Sequence, residues 1–166
     1  MTPLVESTTM SKCRQTAKMI KFELPENLKE YDIIVWMDSK KLRKVIYSNI
    51  CGLFDKYPNY DIINYKHPTR SSIQEELKCT IRHNLENRNS GLSFLDKIKD
   101  FKSDFVMPDT CVIVRRNISI VNEAFRKCYQ ILNEFNLKRD QNVYNFALHG
   151  LCTPLVLPSI EKVLNY

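Results

Sequence analysis

Glycine is scarce in this chain, with three in 166 residues. That scarcity excludes a Gly-rich phosphate-binding loop. With seven prolines, it also argues against disorder and simple repeats. Long apolar runs are missing as well. None approaches the ~18 residues of a spanning helix, so no membrane span is expected. The N-terminus lacks the charged-then-apolar pattern of a secretory signal, and the sequence reads as cytoplasmic. The six cysteines (13, 51, 79, 111, 128 and 152) form neither a CxxC pair nor a Cys/His zinc pattern. Buried free thiols in a reducing compartment are therefore expected, not a disulfide scaffold. No Ser/His/Asp arrangement stands out, which disfavours a nucleophilic hydrolase.

What is present is enough for one domain with a core. Residues 1–10 read as a flexible lead-in and 11–166 as a single domain. The net charge of +6 favours anionic partners such as phosphates and nucleotides. Its densest patch is Lys40, Lys41, Arg43 and Lys44, which on a helix is usually an ordinary solvated face.

Hydrophobic periodicity sets the coarse layout. A helix from Ser11 should bury Cys13, Ala17, Ile20 and Leu24, with Arg14, Lys18 and Lys21 on a second stripe. Pro25 ends it. Residues 32–37 read as a buried strand. Leu42, Val45, Ile46, Ile50, Leu53, Phe54 and Tyr57 form an amphipathic helix, and 60–65 a second strand. A helix over 72–87 starts from a Ser72/Glu75 capping box and buries Ile73, Leu77, Ile81 and Leu85. Asn89-Ser90-Gly91 breaks it, and a shorter helix covers 92–101. Residues 110–115 read as a third strand, 118–135 as a long helix with Val121, Phe125, Tyr129, Leu132 and Phe135 inside. Another helix begins near Asp140, and 154–158 forms a last strand. Strands separated by long helical stretches predict an α/β fold with a mostly parallel sheet flanked by helices.

Four constellations carry possible chemistry. Asp38-Ser39-Lys40 ends the first strand, where α/β sheets bind ligands. Carboxylates at i and i+2 commonly hold a divalent metal there, but the second position is Lys, which supplies positive charge directly. Arg14, Lys18 and Lys21 form a cationic helix stripe suited to phosphates. His67-Pro68-Thr69-Arg70 sits at a strand–helix junction, with Glu76 beyond. Arg139-Asp140-Gln141 opens a helix, where Asp140 is either an N-cap or a base or hydroxyl ligand.

Read together, these segments resemble a known family. The run Ala17-Lys18-Met19-Ile20-Lys21…Leu24-Pro25…Tyr31 to Asp38 is similar to the segment before the metal-site strand of GT-A type glycosyltransferases. More narrowly, it resembles a glycosyltransferase-like family of bacterial polysaccharide loci, large viruses and plant Golgi proteins. That family shows a YD…IWID strand, HP-x-R with an acid six residues on, and RDQ opening a late helix. Cys111 to Asn117 resembles the strand before its long helix. The resemblance spans roughly residues 11–158. Lys40 departs from the small polar residue usual there. The family also carries an N-terminal βα region, whereas ten residues precede Ser11 here. An N-terminally truncated or minimal GT-A-like (Rossmann-like) sheet is the expectation.

The resemblance implies sugar transfer from a nucleotide-diphosphate sugar donor to a glycan or other hydroxyl acceptor. Lys18, Lys21, Asp38 and Lys40 would bind the donor, with Asp38 the metal ligand if Mn²⁺ or Mg²⁺ is used. Lys40 makes metal independence an alternative. Asp140, with Arg139 and Gln141, would be catalytic, and His67, Arg70 and Glu76 would shape the acceptor side. A degenerate, non-catalytic binding module on the same fold is the alternative function. Nucleic acid is not an expected partner, because only the net charge favours it.

Overall fold

The computed structural model describes residues 3–38, 50 and 52–159, with side chains from residue 12 onward. In chain order the elements are helix α1 (Pro3–Phe22), strand β1 (Ile33–Met37), α2 (Gly52–Lys56), β2 (Ile62–Lys66), α3 (Ile73–Arg82) and α4 (Arg88–Lys97). They continue with β3 (Pro108–Arg116), α5 (Ser119–Glu134), α6 (Tyr144–Leu148) and β4 (Leu155–Leu157). Single 3₁₀ turns cover Glu26–Leu28 and Asp140–Asn142.

The fold is mixed α/β around a four-stranded sheet of order β1-β3-β2-β4. β3 pairs antiparallel with both β1 and β2, and β2 pairs parallel with β4. Hence β1, β2 and β4 run one way and β3 runs against them. The expectation of a mostly parallel sheet is corrected here. Its strand directions largely hold, but the reversed strand is inserted centrally, so most of the pairing is antiparallel.

Period-2 alternation sends the strands' side chains to two cores. On one face Ile62 and Ile113 meet Phe22, Leu77, Phe94 and Phe125 from the helices. On the other, Ile63, Val112 and Val114 pack with Leu53 and Phe54 of α2. The helix expected over 42–57 falls mostly outside the described residues, which retain only its end.

β3 is irregular where it faces the site. Ile63 is opposite Val114 but Tyr65 is opposite Asp109, so β3 carries a bulge between them. A bulge leaves backbone groups without ladder partners. Side chains satisfy them: Gln141 Oε1 accepts from Thr110 N at 2.8 Å, and Gln141 Nε2 donates to Pro108 O at 2.5 Å. Lys21 Nζ donates to Thr110 O at 2.7 Å, and Asn64 Nδ2 to Val112 O at 3.1 Å.

Three helical expectations are revised. α1 begins at Pro3, so residues 3–10 continue the helix instead of forming a loose lead-in. Its basic stripe turns inward, not its apolar one. Lys21 and Phe22 are buried and Lys18 is half-buried, while Cys13 and Ala17 are exposed and Ile20 is 42% exposed. Partners for the cations, and Phe22 against Phe125 at 5.8 Å, decide the orientation over the short apolar stripe.

α3 starts as expected, with Ser72 Oγ accepting from Glu75 N, but stops at Arg82. Asn84 takes a left-handed φ of 56°, and Leu85 N and Glu86 N both return to Thr80 O. Asn tolerates that conformation better than most residues. Leu85 consequently points outward and Glu86 inward.

The expected break at 89–91 lies inside α4, which Asn87 caps by accepting from Ser90 N at 3.1 Å. Gly91 is there for close approach: a Cβ on it would sit 2.7 Å from both Cγ1 and Cδ1 of Ile81. Overpacking of that kind costs ~1–3 kcal/mol, which outweighs the ~1 kcal/mol of helix propensity that Ala restores. Gly91→Ala should therefore lower stability by about 1 kcal/mol in urea melts. In an Ile81→Ala background the same change should stabilise; equal effects in both backgrounds would mean that the helices do not meet there.

Candidate active site

A cleft of about 580 Å³ opens at one end of the sheet. It lies where β1 and β2 end and β3 begins. β1 delivers Asp38, whose backbone N donates to Cys111 O at 2.8 Å and whose Oδ1 accepts from Trp36 Nε1 at 2.9 Å. β2 delivers His67, and the bulged start of β3 delivers Asp109, Thr110 and Cys111. The turn before α6 supplies Arg139, Asp140 and Gln141, and α1 supplies Arg14. Residues far apart in sequence thus converge on the carboxyl ends of the codirectional strands, the usual place for a ligand in such sheets.

Asp140 is the electrostatic centre. Its carboxylate forms an ion pair with Lys21, with side-chain exposures of 21% and 5%. Burial pushes the Asp140 carboxyl up, but Lys21's charge and hydrogen bond, helped by Lys18, hold it below the usual carboxylate range. Lys18 donates to Leu137 O at 3.3 Å. Burial pulls its ammonium down, against the opposing pull of Asp140 and Glu86. Both lysines therefore work inside the protein. Lys21, for which the resemblance implied donor binding, is engaged by Asp140 and by Thr110 O of the β3 bulge.

Gln141 is likewise absorbed by β3 backbone and hydroxyl contacts, which fixes the turn that carries Asp140. Arg139 is different. Its guanidinium is 43% exposed, with Nε 3.9 Å from Glu76 Oε1. It is the most exposed member of the RDQ segment, and both it and Asp140 line the cleft.

Glu76 is a buried hub. Its Oε2 lies 3.8 Å from His67 Nε2 and 3.6 Å from Arg70 Nε. His67 Nδ1 accepts from Arg70 N at 2.9 Å, so its ring proton belongs on Nε2, facing Glu76. Arg70 lies outside the main cleft and lines a second groove on α3. The three residues expected on the acceptor side are thus joined, but His67 lines the main cleft, Arg70 the second groove, and Glu76 is buried between them.

Lys40 lies outside the described residues. Asp109, on the strand next to Asp38, lines the same cleft, and its Oδ1 accepts from Cys111 N at 2.8 Å. A second carboxylate placed across a strand pair carries no i+2 signal in the sequence, so Asp109 is not legible there. Burial, then Asp109 and Asp38, push the Cys111 thiol well up, so it stays protonated. Glu86 also went unnoticed. It is 4% exposed and accepts from the backbone N of Lys138 at 2.9 Å and of Arg139 at 3.2 Å. Asn142 Nδ2 donates to it at 3.1 Å. Only the unforeseen end of α3 turns it inward.

Among the described residues, no group of three His, Cys, Asp or Glu side chains converges as a metal site. No described helix is long and apolar enough to cross a membrane. No protein-family model, curated protein or solved structure matches the chain.

Proposed function

We propose that this chain is a glycosyltransferase-like protein of GT-A type. It would move a sugar from a nucleotide-diphosphate sugar to a glycan or other hydroxyl acceptor. The observation that carries the reading is the convergence of Asp38, His67, Arg139 and Asp140 on one cleft, in a volume range typical of small-molecule sites. Arg14, Lys138 and Arg139 offer the cations that a leaving diphosphate needs, the largest catalytic contribution expected here. Asp38 and Asp109 supply hard oxygen donors of the kind that Mg²⁺ or Mn²⁺ takes together with phosphate oxygens. Such an ion would neutralise the diphosphate.

Asp140 fits a hydroxyl ligand better than a general base. A base works best with a pKa near the operating pH, and Lys21 holds this carboxylate far lower. The same observation favours a second reading, a binding module that keeps the cleft without turnover.

A thermal-shift screen with nucleoside diphosphates and nucleotide sugars, with and without Mn²⁺, tests both. A ligand at 100 times its Kd should add ~2.7 kcal/mol. Stabilisation with sugar transfer supports the enzyme, and stabilisation without transfer supports the module. No shift with any nucleotide removes the donor site.

A further inference from the structure

The second groove, of about 410 Å³, is lined by Arg70, Lys78, Arg82, His83, Cys79 and Glu75 among others. Its charge differs from that of the main cleft. There, Arg14, Lys138 and Arg139 are matched by Asp38, Asp109 and Asp140. Here three permanent cations face one lining carboxylate, with the buried Glu76 beside Arg70 alone among them, and Glu75 is engaged by Ser71 N and Oγ, both at 2.8 Å. Lys78 and Arg82 are one turn apart on α3, a spacing at which like charges repel. Neither has an ion-pair partner among the described residues.

Arg70 is pre-set in this groove. Its Nε faces Glu76, Nη1 donates to Thr69 Oγ1 at 3.0 Å, and Nη2 lies 2.8 Å from Cys79 Sγ. Glu76 ties this arginine to Arg139 and His67 in the main cleft. A molecule lying in the groove would therefore have one end next to the cleft.

We propose that the groove is an acceptor subsite and that the acceptor is an anionic glycan, its carboxylates or other acidic groups paired with Arg70, Lys78 and Arg82. The assignment of the groove as an acceptor site rests on the glycosyl-transfer reading above. A glycan is favoured over single-stranded nucleic acid because no Phe, Tyr or Trp lines the groove and His83 is its one aromatic ring, whereas strand binders stack successive bases on aromatic side chains.

The test is isothermal titration, without nucleotide, of trigalacturonate and of its trimethyl ester, which keeps the shape and removes the charge. The acid should bind at least tenfold more tightly than the ester. Lys78→Glu with Arg82→Glu, both exposed on α3, should erase that preference. The Lys78→Gln/Arg82→Gln pair provides the same test if the charge reversal melts early. Equal affinity for acid and ester overturns the proposal. So does a preference that survives both double variants, or tighter binding of an oligonucleotide of equal charge through the same residues. Nucleoside diphosphate affinity is titrated separately. Its absence counts against the glycosyl-transfer reading, while the acid–ester comparison judges the groove itself.

Discussion

Asp140→Asn should lower stability by about 3 kcal/mol at neutral pH and, on the glycosyl-transfer proposal, abolish sugar transfer. Removing one partner of a buried ion pair leaves the other charge uncompensated, and that typically costs ~3–5 kcal/mol. Asp140 retains some exposure and Lys21 almost none, which puts the loss at the lower end. Adding Lys21→Met removes the stranded ammonium and should recover part of it. Recovery stays incomplete because Thr110 O loses its donor, a penalty of ~1–3 kcal/mol for a buried unpaired group. Urea melts of the three proteins measure this. A single variant as stable as wild type would refute the ion pair. If the partly restored double variant transfers sugar at the wild-type rate, Asp140 is not a substrate ligand.

The same pair sets an acid limit. Asp140's folded pKa lies below its unfolded value, so between the two the unfolded chain binds the extra proton. Stability then rises with pH across that interval. The contribution is complete above the unfolded carboxylate pKa of ~3.9 and fades as pH falls through the folded value. In the Lys21→Met/Asp140→Asn protein this segment of the pH–stability curve should flatten.

Much of the site was legible because its parts sit at element ends, and short β-branched runs mark those ends well. Ile33–Met37, Ile62–Lys66 and Leu155–Leu157 all fall on expected strands. Asp38, His67 and Asp140 then follow from where such strands and turns finish. Sheet order was not legible. Long helical intervals imply crossovers between codirectional strands, and β1, β2 and β4 obey this. Nothing local states that β3 inserts between β1 and β2 in reverse.

The face of α1 was misread for an electrostatic reason. Periodicity scores Cys13, Ala17 and Ile20 as a core stripe, but the partners of Lys18 and Lys21 arise more than a hundred residues later. Only tertiary structure reveals that these cations are worth more inside. The bulge in β3 has the same character. Its unpaired backbone makes structural elements of Gln141 and Lys21, two residues whose types alone look catalytic.

Glu86 gives the other large effect, and it isolates positioning from contact. Glu86→Ala should cost about 3 kcal/mol, because it takes the acceptor from the amides of Asn87, Lys138 and Arg139 and one of two acceptors from Asn142 Nδ2, which keeps Thr80 Oγ1. An unpaired buried donor costs ~1–3 kcal/mol, but Asn87, Lys138 and Arg139 are exposed residues whose amides water can reach, which keeps the sum below simple addition. Glu86→Gln keeps one oxygen for Asn87 and Lys138 but turns an amino group toward Arg139 N and Asn142, so about half that loss is expected. Hydrogen exchange separates this from general destabilisation. The Lys138 and Arg139 amides should lose protection in Glu86→Gln, while those of β2 and α5 change only with global stability. Uniform loss across the chain would make Glu86 a core support and nothing more. Selective loss would mean that a carboxylate outside the cleft lining holds Arg139 and Asp140 at the strand ends, where the proposed chemistry needs them.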